Sequence, residues 1–129
     1  MIRFSRDKVL LLHQLLIAET GGAADVRDFG LLESALESAY ATFDGQELYP
    51  GKEEKGARLG YALISNHAFV DGNKRIGMAA MLLILRRNGV KLAYTQAELV
   101  TLGLEVAQGK ADTEQVAAWI ARHRTTAEG

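Results

Sequence analysis

"ISNHAFVDGNKRIGMAAMLLILRRNG", Ile64–Gly89, decides how the rest of the chain must fold. Its second half, from Ile76 to Leu85, is apolar on nearly every side. A helix without a polar face belongs in the interior, so the pattern predicts a helix from about Asn73 to Gly89 at the centre of a bundle. Val70-Asp71-Gly72 breaks the helical period just before it. A histidine, an acid, a glycine, an asparagine and two cations crowd at this entrance, where a buried helix needs no more than a cap.

Outward from this centre the chain reads as further helices. Ser5 can cap a first, roughly residues 6–20, with Val9, Leu12, Leu15 and Leu16 inward and Gly21-Gly22 ending it. Asp28 can cap a second, from about Gly30 to Thr42, with Leu32, Ala35, Leu36 and Ala39 on one face. "FDGQELYPG", Phe43–Gly51, is dense in turn residues and predicts a loop or short hairpin. A third helix follows from about Glu53 to Asn66, with Leu59, Ala62 and Leu63 inward, and Glu53, Glu54 and Lys55 read as its first turn. After the central helix, "VKLAYT" suits a short extended segment. Thr95 with Glu98 forms a capping box for a fifth helix, to about Gln108, and Asp112 can cap a sixth, to about Arg124. The expectation is an all-α, compact six-helix bundle with one short hairpin, a single domain over residues 1–129.

Composition bounds the function. Fifteen basic against sixteen acidic residues give a formal charge of −1, unlike the basic surface of a general nucleic-acid binder. The absence of cysteine removes disulfides and thiolate metal sites. The run Gly77–Leu85 is about half of the ~20 residues a membrane span needs, and the opening segment is interrupted by Asp7, Lys8, His13 and Gln14, so no secretory signal is read there. The expected location is the cytoplasm, with neither membrane nor nucleic acid as direct partner.

At the entrance itself, a helix start exposes unpaired N–H groups and the positive end of its dipole, which suits a phosphate. Gly72 lets the backbone approach closely, Asn73 can add an amide donor, and Lys74 and Arg75 add positive charge. Asp71 would repel a phosphate unless it held Mg²⁺, which takes one or two carboxylates together with phosphate oxygens. His67 could take a proton from a hydroxyl. Plainer readings stand beside these: Asp-Gly is an ordinary turn, exposed first-turn cations are commonly just solvated, and a lone histidine fills many roles. No Walker A loop is present. Elsewhere, His13 among leucines reads as a packed or boundary histidine, His123 suits the end of a helix, and Trp119 reads as core.

"HAFVDGNKR", His67–Arg75, resembles the signature of the Fic/Doc family at every fixed position. The stretch from Tyr40 to Arg75, and "LRRNG" after it, are similar to the corresponding parts of Doc-type (death-on-curing) members, and about Gly21 to Arg124 fits a short protein of that type. The resemblance implies that His67 is the general base, Phe69 a core residue, and Asp71 the Mg²⁺ ligand. It implies that Gly72, Asn73 and Arg75 hold nucleotide phosphates, beside Lys74, and that a flap near Thr42 to Lys52 aligns the target segment. Members that transfer AMP carry Gly at the place of Lys74 and a second Arg at the place of Met78. The Doc branch shares both departures, although it carries Ala at the place of Gly72. By resemblance the chain is a bacterial toxin that transfers the γ-phosphate of ATP to a threonine of translation elongation factor Tu and so arrests translation. AMP transfer, or a non-catalytic module holding a phosphate or an antitoxin segment, are the alternatives. The family's inhibitory pattern, [Ser/Thr]-x-x-x-Glu-[Gly/Asn], is not matched: the one Glu followed by Gly or Asn is Glu128, with Arg124 four residues before it. A separate Phd-like antitoxin, whose C-terminal segment folds as a helix over the motif or the flap, is the expected brake.

Overall fold

The computed structural model describes residues 3–125; Glu128 and Gly129 of the inhibitory pattern lie outside them. Six helices and one two-stranded hairpin are present among the described residues. They are α1 (Arg6–Thr20), α2 (Phe29–Ser38), β1 (Thr42–Phe43), β2 (Gln46–Glu47), α3 (Lys52–Asn66), α4 (Asn73–Arg87), α5 (Gln96–Ala107) and α6 (Thr113–His123).

The caps that set these boundaries are mostly those the sequence announces. Ser5 accepts from Lys8 N at 3.2 Å, and Asp28 from Leu31 N at 3.0 Å. Thr95 and Glu98 close a reciprocal box at 3.1 and 2.8 Å, and Asp112 pairs with Gln115 in the same way. Two expectations need correction. α2 stops at Ser38, short of Thr42, because Thr42 and Phe43 pair instead with Glu47 and Gln46 across a tight turn. That turn needs left-handed backbone at Asp44 and Gly45, φ +54° and +78°. On α1, Leu15 is 57% exposed while His13 and Ile17 are buried. The buried stripe therefore runs through 9, 13 and 17, a strict i, i+4 line, and Leu15 falls off it.

The α3–α4 pair forms the middle of the bundle. α4 buries Ile76, Gly77, Met78, Ala80, Met81, Ile84 and Leu85, as its apolar run predicts. It packs on α1, α3 and α5, whereas α3 touches α2, α4, α5 and α6, so α3 shares the centre. The two helices meet where side chains are absent: a Cβ on Gly77 would lie 2.5 Å from Ile64 Cγ1 and 2.9 Å from the Gly60 carbonyl oxygen. Such a crossing is open only to glycine. Trp119 on α6 is buried, as expected. The segment after α4 runs alongside the end of α6, with Ala93 N donating to His123 O at 2.8 Å and Thr125 N to Lys91 O at 2.9 Å.

The hairpin is tied to α3 through Lys55, which is buried rather than solvated. Its ammonium donates to Glu47 Oε1 at 2.6 Å and to the Tyr49 carbonyl. A buried lysine requires such partners, and these fix the second strand of the hairpin against the bundle.

Candidate active site

α3 ends at His67, whose backbone adopts φ +50°, ψ +50°. A left-handed histidine is locally strained, and the neighbours hold it there. Arg27 donates from Nε to His67 O at 2.7 Å and from a terminal nitrogen to Asn66 O at 3.2 Å. A guanidinium on the last carbonyls of a helix both fills their open valences and opposes the dipole's negative end. Asn66 in turn donates to Leu31 O at 3.0 Å. The His67 side chain is exposed and has no hydrogen bond among the described residues.

Between α3 and α4 the chain runs as a strap against the α1–α2 connection. Ala68 O accepts from Arg27 N at 2.7 Å and Asp28 N at 3.1 Å, and Val70 N donates to Asp25 O at 3.0 Å. Phe69, fully buried, faces Val26 across an isolated bridge. Asp71 is gripped at both ends: Oδ2 accepts from Ala23 N at 2.8 Å, and its carbonyl accepts from His13 Nε2 at 2.7 Å. Gly22 makes this approach possible, with φ +112° and room for a Cβ only 3.3 Å from that of Asp71.

Gly72, φ +78°, then turns the chain into α4. No side chain caps this helix start. Its first turn holds no acid but two exposed cations, Lys74 and Arg75, neither ion-paired among the described residues. That arrangement leaves free N–H groups, dipole and cations all seeking negative charge. Asn73 sits differently from the sequence reading. Its Oδ1 accepts from Phe69 N at 3.1 Å and its Nδ2 donates to Phe69 O at 2.9 Å. The amide oxygen and one of its two N–H groups shape the loop, leaving the second N–H, the backbone N–H groups and the two cations to meet an anion.

For a metal, Asp71 is the available ligand: no group of three or more His, Asp or Glu side chains suited to a metal occurs among the described residues. One oxygen of Asp71 is taken by Ala23. One free carboxylate oxygen fits Mg²⁺ delivered with phosphates and water, and does not fit a cage that holds the ion alone.

The sequence thus located His67, Asp71, Gly72, Lys74 and Arg75 together at one turn. It missed the supports behind them. Arg27 and Ala23 gave no signal, since their contacts join segments 40 and 48 residues apart in sequence. His13 reads in the sequence as a packed or boundary histidine, and it is packed, but its reach to Asp71 was not visible.

The family model described as "Fic/DOC family" matches residues 3–85. The chain is 40% identical over 110 residues to "Toxin Doc" of Mycolicibacterium smegmatis, covering 84% of this chain and 85% of that protein. It is 30% identical over 128 residues to "Protein kinase doc" of Escherichia phage P1, covering 99% of this chain and all of that one. With the signature loop at the start of the buried helix and this extent of similarity, the chain belongs to the Fic/Doc family.

Proposed function

We propose that this protein is a Doc-type toxin kinase that transfers the γ-phosphate of ATP to a threonine hydroxyl of elongation factor Tu. The observation that carries the reading is the uncapped start of α4, with Gly72 in left-handed backbone and Lys74 and Arg75 without an ion pair among the described residues. A second supports phosphoryl over AMP transfer. Met78, at the position where AMP-transferring relatives carry a second Arg, is 5% exposed and packs where Gly103 of α5 approaches. A buried thioether cannot grip a phosphate. The names of the two similar proteins, a toxin and a protein kinase, point the same way.

In this reading the first-turn N–H groups of α4 and the Arg75 guanidinium hold the nucleotide's phosphates, and Lys74 offsets their charge. Asp71 would supply the protein carboxylate to Mg²⁺ arriving with ATP, whose chemistry there would be to neutralise phosphate charge. His67 removes the proton from the threonine hydroxyl. The hydroxyl oxygen bonds to the γ-phosphorus, the bond from that phosphorus to the bridging oxygen breaks, and ADP departs. The hairpin β1–β2, anchored by Lys55, presents the exposed Phe43 and Leu48 to the target segment.

A Phd-like antitoxin is the proposed partner, its C-terminal helix suppressing transfer. A groove of about 660 Å³ is lined by Leu12, Leu82, Leu83, Val90 and Leu92, with Arg86 and Lys91 among its lining. It is apolar enough to take one face of a helix. It includes no residue of the motif or the hairpin, yet Leu12 adjoins His13, which supports the motif.

The test uses purified elongation factor Tu incubated with this protein and MgATP. Mass spectrometry should find one phosphoryl group on a threonine, and none when a co-expressed antitoxin is bound. An adenylyl increment would establish AMP transfer instead, and an unmodified factor would contradict the assignment.

A further inference from the structure

α1 carries one polar residue in its buried stripe, His13, 1% exposed. Packing alone would be served there by a leucine, as at neighbouring positions. The ring meets the motif loop at three residues, Phe69, Asp71 and Gly72. It stacks on Phe69 with centroids 3.7 Å apart and planes 17° from parallel. A Cβ on Gly72 would lie 3.4 Å from its Nε2. Nε2 lies 2.7 Å from the Asp71 carbonyl oxygen. A carbonyl can only accept, so Nε2 carries a proton, and in the neutral ring Nδ1 is the bare nitrogen. Nδ1 is buried without a partner among the described residues. A bare buried nitrogen is costly, so the ring sits there at some expense to stability.

What the ring fixes is one peptide group. The Asp71–Gly72 peptide is planar and trans, so drawing its C=O toward α1 turns the Gly72 N–H the opposite way. That N–H makes no hydrogen bond among the described residues. The carboxylate of Asp71, the residue whose carbonyl His13 holds, accepts from Ala23 N. We infer that His13 is a positioning residue: from behind the loop it sets the direction of the Gly72 N–H and the place of the Asp71 carboxylate, and so the affinity for metal-bound ATP. The inference rests on the proposed MgATP site.

The test compares His13→Phe, which keeps ring, stack and volume but loses the donor, with His13→Gln, which returns an N–H near the place of Nε2. Thermal unfolding establishes that each variant folds. The backbone amide resonances of Ala23 and Gly72, read by NMR without nucleotide, report the loop. Calorimetry with ATP and Mg²⁺ in the catalytically disabled His67→Ala background reports binding. Loss of a group that orients a metal ligand lowers affinity by about 10–100-fold. We expect that loss for His13→Phe, with both resonances displaced, and partial recovery of both for His13→Gln. Unchanged resonances and unchanged MgATP affinity in folded His13→Phe would overturn the inference. If His13→Phe does not fold, His13→Gln decides: retained resonances and affinity support the role, and loss of both in a folded protein removes it. Should the unmodified protein bind no MgATP, the proposed function fails, and the resonances still decide whether His13 orients the loop.

Discussion

At the scale of single residues, the site divides between side chains left free and side chains that hold them. His67 and Asp71 are expected to separate by what they control. His67→Ala removes a side chain with no hydrogen bond among the described residues, so the fold should stay intact, judged by thermal unfolding. Transfer should fall by about 10²–10⁴, the usual loss on removing a general base. Full transfer by His67→Ala would contradict its role. Asp71→Ala should weaken ATP binding in the presence of Mg²⁺ and narrow the difference between titrations with and without the ion. The sequence showed which residues stand at this turn because they are contiguous. It could not show that the Asn73 amide is closed on Phe69, since a side chain that satisfies its own loop and one that awaits a ligand look alike in a list of residues. Nor could it show that His13 reaches Asp71, 58 positions away.

Helices and hairpin come next, and here most of the fold was legible, because caps and periodicity are local. The Thr95–Glu98 and Asp112–Gln115 boxes stand where their spacing put them. The end of α2 was not, because strand pairing with Glu47 and Gln46 overrides helix propensity at Thr42 and Phe43. The close α3–α4 crossing makes a sharp prediction. Gly77→Ala pushes a methyl against the Gly60 backbone carbonyl, 2.9 Å away. Overpacking of this kind costs about 1–3 kcal/mol, measurable by urea unfolding. A stability equal to the parent protein's would mean the helices are not held so close. At the other end of the bundle, the Glu98 carboxyl is held below its ordinary value by the Thr95 backbone N–H first and by His123 second. A carboxyl with a lowered folded value contributes stability above the ordinary value of 4.5 and loses it as pH falls through the lowered one. Glu98→Gln, which keeps an acceptor for the cap but not the charge, should therefore lower stability at neutral pH and flatten the acid side of the profile, the two proteins converging as pH falls. An acid limb unaltered by the substitution would show that this carboxyl does not contribute to it.

The whole molecule is arranged to support one loop. α1 supplies His13, the α1–α2 connection supplies Ala23 and Arg27, α3 ends in His67, and α4 begins at the cationic turn. No described helix is long and apolar enough to cross a membrane, as the charges flanking the central run implied. The centre was read as α4 alone, and α3 shares it because its glycines and alanines let four neighbours approach, which the less apolar composition of α3 conceals. The claim on which the account turns is that this arrangement transfers the terminal phosphate of ATP. Parallel reactions of purified protein and elongation factor Tu, one with ATP labelled at the α-phosphate and one at the γ-phosphate, test it most directly. Label should enter the factor from γ-labelled ATP alone, and from neither with His67→Ala. Label from the α-phosphate, or no label from either with the unmodified protein, would contradict it.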